Sequence, residues 1–320
     1  MISDSRKILN FFSLKRIIFP VLIGIAGVLY LLWSSLDLDS IQQMNWGGST
    51  IFWILIAVFM MVIRDFAYMY RIRILTNNEI SWRNSFDVIM LWEFASAITP
   101  SVVGGAGIAI FIINKEKISL GRSTALVMTT AFLDELFYVL MVPAVILLAG
   151  IENIFPNDSG GTFFGWLMSI QSLFLIGYGF ILLLTSVMLY ATFFNPQGIK
   201  NLMVKICRLG VLKRWRKSVE QTGDDLIVTS RELKDKPFIF WIKAFGATFF
   251  AWTARFWVVN FIILAFSQLN SISHFGIYAR QLIMWVVMLI SPTPGSSGVA
   301  EVLFPQFLGE FISGAPSEVL

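Results

Sequence analysis

Charge is what this chain has least of. Only 14% of its 320 residues are Asp, Glu, Lys or Arg, while 57% are hydrophobic and the mean hydropathy is +0.75. A soluble domain carries about 25% charged residues. The shortage leaves too little polar surface to wet a globule, so most of the chain must face lipid, and a soluble catalytic domain is excluded. Cysteine and histidine are nearly absent. The single Cys207 excludes an internal disulfide framework, and with only His274 beside it the chain has no metal-ligand spacing. Neither a metal nor a cofactor is expected; Cys207 reads as a buried inert thiol and His274 as a loop histidine.

A helix crosses the hydrocarbon core with about 20 apolar residues. Five stretches qualify outright: 17–36, 51–70, 123–149, 163–194 and 238–267. The first is too long for a secretory signal and lacks a small-residue cleavage site, so it is expected to stay as a span. Two further apolar stretches, 86–113 and 275–312, are interrupted. One breaks at Thr99-Pro100-Ser101-Val102-Val103-Gly104-Gly105-Ala106-Gly107, the other at Ser291-Pro292-Thr293-Pro294-Gly295-Ser296-Ser297-Gly298. Proline removes a donor and glycine lets the chain reverse. Lipid does not tolerate the freed backbone groups, so both breaks must be buried in protein or line a wet cavity.

The basic residues set an orientation. Arg6, Lys7, Lys15 and Arg16 precede the first span, and segments 71–83, 115–122 and 195–237 hold three, three and ten more, which accounts for 20 of the 24. Segments 37–50, 150–162 and 268–274 hold none. By the positive-inside rule the basic segments are cytoplasmic and the bare ones external. Stretch 86–113, basic on both flanks, then reads as a re-entrant hairpin from the cytoplasmic side. Stretch 275–312 starts from the external side and is expected to return there.

The two breaks resemble each other. Ile98-Thr99-Pro100-Ser101 opens one and Ile290-Ser291-Pro292-Thr293 the other, each followed by glycines, with Arg64 and Arg255 some 36 residues before the proline. Similar segments in opposite topologies are the pattern of inverted repeats. The expected fold is an all-α polytopic membrane protein of two inverted halves, 1–160 and 161–320, each with one re-entrant hairpin. The terminal Gly314-Ala315-Pro316-Ser317-Glu318-Val319-Leu320 reads as a helix start, so a last transmembrane helix is expected to be missing from this sequence.

Charges inside the membrane carry most information, because each costs a few kcal/mol at the bilayer centre. Arg255 lies mid-span. It is either paired with Asp65, Asp134 or Glu135, or it is an anion site for a lipid phosphate, which a planar guanidinium suits. Arg64 and Lys243 lie nearer the cytoplasmic ends, where their heads can snorkel to water, and Arg280 lies near the external face. Asp134 and Glu135, about 100° apart on one helix, cannot both line the same cavity. Glu93 and Glu301 flank the breaks and suit either coupling of a proton or cation or structural capping. The basic, apolar-interleaved segment 200–217 reads as an interfacial helix or pair held to anionic headgroups, not as a nucleic-acid surface. Gly295-Ser296-Ser297-Gly298 resembles the G-x-S-G pattern of rhomboid proteases, but a serine nucleophile needs a base, and no histidine follows it.

P-x-x-x-G-G in the first half (Pro100, Gly104, Gly105), P-G-x-x-G-x-x-E in the second (Pro294, Gly295, Gly298, Glu301) and the basic linker together resemble the membrane region of lysylphosphatidylglycerol synthases. The resemblance covers nearly the whole chain and departs from the family at Ala106 and Ser296. It implies a flippase-like membrane protein standing alone, without the cytoplasmic aminoacyl-transfer domain, and therefore not an enzyme. The expected function is movement of an anionic phospholipid or lipid-linked phosphate between leaflets of the plasma (inner) membrane, with the N-terminus cytoplasmic. An enzyme acting on lipid-linked sugars is the alternative. Arg255, Arg64 and Arg280, with Pro100, Gly104, Gly105, Pro294, Gly295 and Gly298 at the breaks, are the expected substrate site. Membrane lipids with anionic headgroups are the expected partners.

Overall fold

The structure is a computed structural model and describes residues 46–98, 102–156, 169–207, 216–266, 271–289 and 299–312. The first expected span, Pro100, Pro294, Gly295, Gly298, the serine motif and the terminal helix start lie outside those residues. Every regular element among the described residues is helical: α1 Gly48–Leu75, α2 Trp82–Ile98, α3 Val102–Lys115, α4 Leu120–Ala149, α5 Ile151–Ile154, α6 Ile170–Leu189, α7 Pro196–Ile206, α8 Arg216–Lys234, α9 Phe238–Phe266, α10 Ser271–Met288 and α11 Val299–Leu308, with a π turn after α6 and a 3₁₀ turn after α11. Four of them, α1, α4, α6 and α9, are long and apolar enough to cross a membrane.

The expected span 51–70 ends too early. An arginine at 71 looks like the start of a cytoplasmic loop, yet α1 continues to Leu75 with Arg71 only 5% exposed. The helix stops at Asn77 and Asn78, both with positive φ (53° and 63°), a conformation that asparagine tolerates better than most residues. At its outer surface α1 exposes Ile51, Leu55, Val58, Phe59, Val62 and Phe66, while Ala67, Tyr68, Arg71 and Ile72 are buried. One apolar stripe is open to lipid and the opposite stripe faces protein.

The central pair of the fold is α1 against α9. Trp46 meets Phe266, Trp53 stacks on Phe261, and Arg71 reaches Thr248. Rising numbers on one helix meet falling numbers on the other, so the two run antiparallel. Around this pair lie two apolar clusters. One joins α1, α2, α3, α4 and α9 through residues such as Ile72, Val88, Ile113, Leu133 and Ala251; the other joins α4, α6, α9, α10 and α11 through Phe137, Ile181, Trp252, Leu282 and Phe307.

Each interrupted stretch is a pair of short antiparallel helices. In the first, Asn84 donates to Glu116 (2.5 Å) near the base, and Ser96 sits against Gly105 near the tip. In the second, Arg280 donates to the carbonyl of Phe307 (3.1 Å) and Gly276 lies against Phe311. At 17 and 14 residues, α2 and α3 are about 25 and 21 Å long, short of the ~30 Å hydrocarbon thickness.

Gly105 is required by this close approach. A Cβ there would lie 2.5 Å from Ser96 Oγ and 3.2 Å from its Cα. The hydroxyl can rotate but the backbone cannot. Gly105→Ala is therefore expected to destabilise by about 1–3 kcal/mol through overpacking, read as a lower melting temperature in detergent. Adding Ser96→Gly should recover part of the loss, and a Gly105→Ala protein as stable as the parent would contradict the packing.

The basic segments gather at one end. Lys236 donates to Asn77 (2.7 Å), Arg122 pairs with Glu79 (2.8 Å), and Asn84 holds Glu116. At the other end Trp46 touches Phe266, and Arg280 donates to the carbonyl of Asn153 (2.9 Å). The linker folds as α7 and α8 packed together, with Lys200 paired to Asp224 and lying against Gly223.

Candidate functional site: a buried charged and aromatic centre

At the middle of the α1/α9 pair each helix presents a stripe at i, i+4, i+7. On α1 it is Arg64, Tyr68 and Arg71; on α9 it is Thr248, Trp252 and Arg255. This spacing puts three side chains on one helical face. Helix α4 adds Asp134 and Tyr138, one turn apart, and the hairpins add Glu93 from α2 and Trp285 from α10.

Three of the four deep arginines are consumed by protein acceptors. Arg71 grips Asp134 with Nη1 on Oδ1 (2.5 Å) and Nη2 on Oδ2 (3.4 Å), donates also to Thr248 Oγ1 (3.0 Å), and lies 4.9 Å from the Tyr68 ring centre. Trp252 Nε1 donates to the same Asp134 Oδ1 at 2.8 Å. Arg64 donates to Asp65 through Nε and Nη2 (2.9 and 2.7 Å) and to Glu93 through Nη2 (2.7 Å). It does not snorkel; it ties α1 to the first hairpin. Arg280 is 3% exposed and spends its donors on the carbonyls of Asn153 and Phe307 and on Glu310 Oε1 (2.8 Å).

Arg255 differs from all of these. Its guanidinium lies 5.3 Å from the Trp252 ring centre and 4.8 Å from that of Trp285, in the angle between two indoles whose planes cross at 66°. Such cation–π contacts hold the group in place. They use none of its N–H donors, and among the described residues no acceptor takes them. The carboxylates expected as partners are engaged elsewhere: Asp65 by Arg64, Asp134 by Arg71 and Trp252. Glu135 is half-buried and makes no hydrogen bond or ion pair among the described residues. Lys243 is exposed on α9.

The expected site thus divides. Arg64, Glu93, Asp134 and Arg255 converge on the middle of the fold. Arg280 lies apart, pinning α10 to the α4–α5 end. Glu301 is in the first turn of α11, where a carboxylate suits the helix dipole. Gly104 and Gly105 lie in the first turn of α3. Arg71, Thr248, Trp252, Trp285 and Tyr138 were not foreseen. Arg71 had a signal: it falls seven residues after Arg64, on the same face. No group of three or more His, Cys, Asp or Glu able to hold a metal occurs among the described residues.

Long apolar helices around a paired ionic centre define an all-helical, multi-pass membrane protein. The chain belongs to the family described as lysylphosphatidylglycerol synthase TM region, whose profile matches residues 17–320. It is similar to an archaeal protein from Archaeoglobus fulgidus described as "UPF0104 membrane protein", 26% identical over 298 residues that make up 90% of this chain and 83% of the relative. No solved structure gives a significant match.

Proposed function

We propose that the protein carries a phosphate-bearing lipid between the two leaflets, without altering it chemically, and that Arg255 receives the phosphate. The observation behind this reading is that, among the described residues, no acceptor takes the N–H donors of Arg255. A cation held mid-span costs at least a few kcal/mol, and a residue kept only for structure would show the carboxylate or carbonyl partners that Arg64, Arg71 and Arg280 have. Two indoles orient Arg255 and leave its planar fork open for a bidentate anion.

The inverted-repeat reading gains support from one pair of contacts. Shifting the first half by 191–192 positions carries Arg64 onto Arg255 and Glu93 onto Trp285. Each arginine on a central helix then touches the equivalent position of its own hairpin, as an ion pair in one half and over an indole in the other. In this reading both breaks approach the midplane from opposite faces, and the hairpins re-pack in turn as the lipid crosses. Glu135, unlike the engaged Glu93 and Asp134, has a carboxylate unpaired among the described residues, which suits a coupling proton or cation.

The basic end is taken as cytoplasmic. With Cys207 replaced by serine, a membrane-impermeant maleimide applied to intact cells should label Glu152→Cys and leave Asn78→Cys and Lys234→Cys unlabelled. The reverse pattern would invert the orientation. The substrate class is tested by native mass spectrometry of lipids that co-purify with the protein. Phosphate-bearing lipid, depleted in Arg255→Lys, is expected; lipid retained equally by both proteins would remove Arg255 from the site.

A further inference from the structure

Tyr138 is buried to 3% exposure, and its hydroxyl has no hydrogen-bond partner among the described residues. A buried tyrosine ordinarily finds one, and leaving the group unmade costs about 1–3 kcal/mol. A purely apolar role would be filled at no such cost by phenylalanine, which the chain uses 30 times, including next door at Phe137. The position is specific. The Tyr138 ring packs edge-on against Trp252 with centroids 5.1 Å apart, and Trp252 is one of the two indoles under Arg255. The neighbouring carboxylate of Asp134 takes its hydrogen bonds from Arg71 and Trp252 and, among the described residues, none from Tyr138.

We infer that Tyr138 is a second binding residue of the Arg255 site, donating its hydroxyl hydrogen to a phosphate oxygen that the guanidinium fork leaves uncovered. The inference rests on the reading of Arg255 as the phosphate site and adds to it a donor from a different helix. The chemistry is one-directional. Arginine has donors and no acceptor, so it cannot take the phenol's hydrogen, and no other group among the described residues does. A group that satisfies both must be rich in acceptors and negatively charged. A phosphodiester fits, with two oxygens for the guanidinium and lone pairs left for a short O–H···O⁻ bond. Residues from α4 and α9 would then close on the anion together.

The test titrates the detergent-purified protein with short-chain phosphatidylglycerol, and separately with inorganic phosphate, following the quenching of tryptophan fluorescence. Tyr138→Phe removes one oxygen atom and keeps the ring. It is expected to weaken phosphatidylglycerol binding about tenfold, the effect of one lost charge-assisted hydrogen bond, while the melting temperature without ligand stays level or rises. Arg255→Lys, run in parallel, separates the two readings. If Arg255→Lys weakens binding and Tyr138→Phe does not, Tyr138 is not a binding residue and the Arg255 site stands. If neither variant changes affinity, both readings fall. Inorganic phosphate that binds as tightly as the lipid, with the same loss in Tyr138→Phe, would keep the donor role and make the ligand a free anion. A Tyr138→Phe protein that melts earlier at unchanged affinity would make the hydroxyl structural and overturn the inference.

Discussion

Replacing Arg71 by alanine is expected to cost about 3–5 kcal/mol, enough to prevent accumulation of folded protein in the membrane. The loss comes less from the broken ion pair than from what it strands. Asp134 would be left on a mid-membrane helix with, among the described residues, the Trp252 indole alone donating to it, and Thr248 would lose the guanidinium that bridges α1 to α9. The double variant Arg71→Ala, Asp134→Asn should recover much of the deficit, because the stranded charge is gone. Arg71→Lys should recover less, since an ammonium cannot reach both carboxylate oxygens and the threonine in one plane. The check is folded yield and melting temperature in mild detergent across the four proteins. A single Arg71→Ala variant that melts with the parent would show that the pair contributes nothing.

Arg255→Ala is expected to have the opposite profile. No carboxylate among the described residues pairs with Arg255, so its removal breaks no ion pair there; the loss is chiefly two cation–π contacts worth about 0.5–2 kcal/mol each, offset by relief of a poorly compensated buried charge. Lipid binding, by contrast, should disappear. The contrast between two arginines sixteen positions short of two hundred apart, one structural and one available, can be read in a single preparation of each variant. An Arg255→Ala protein that fails to fold as Arg71→Ala does would mean that Arg255 is held by an acceptor after all.

Much of this was legible in the sequence, because hydrophobic length and the placement of Lys and Arg report directly on the bilayer. The spans at 51–70 and 123–149 are present and run a few residues further at one or both ends, and 238–267 is matched by Phe238–Phe266. The breaks after Ile98 and before Val299 separate helices that do fold back on one another. Partnership was harder to read. Sequence spacing puts Arg64, Asp134 and Arg255 inside spans and Arg71 at the edge of a loop, and does not say which arginine takes which acid. That choice depends on helix rotation, which is set by packing at residues such as Gly105, Ala251 and Ala244. It gives Asp134 to Arg71, an arginine that composition assigned to a loop, and leaves Arg255 to the tryptophans. Aromatic residues make up 15% of the chain, so no single indole stands out before the helices are assembled. Trp252, Trp285 and Tyr138 become informative only beside Arg255.

The most direct measurement is transbilayer movement in liposomes. The purified protein, reconstituted with a trace of headgroup-labelled phosphatidylglycerol, should bring inner-leaflet label within reach of an impermeant quencher, at unchanged lipid mass. Arg255→Ala should leave the inner-leaflet label protected, as in protein-free vesicles. Equal movement by the parent and Arg255→Ala, or a change in lipid mass on incubation with the parent, would contradict the account.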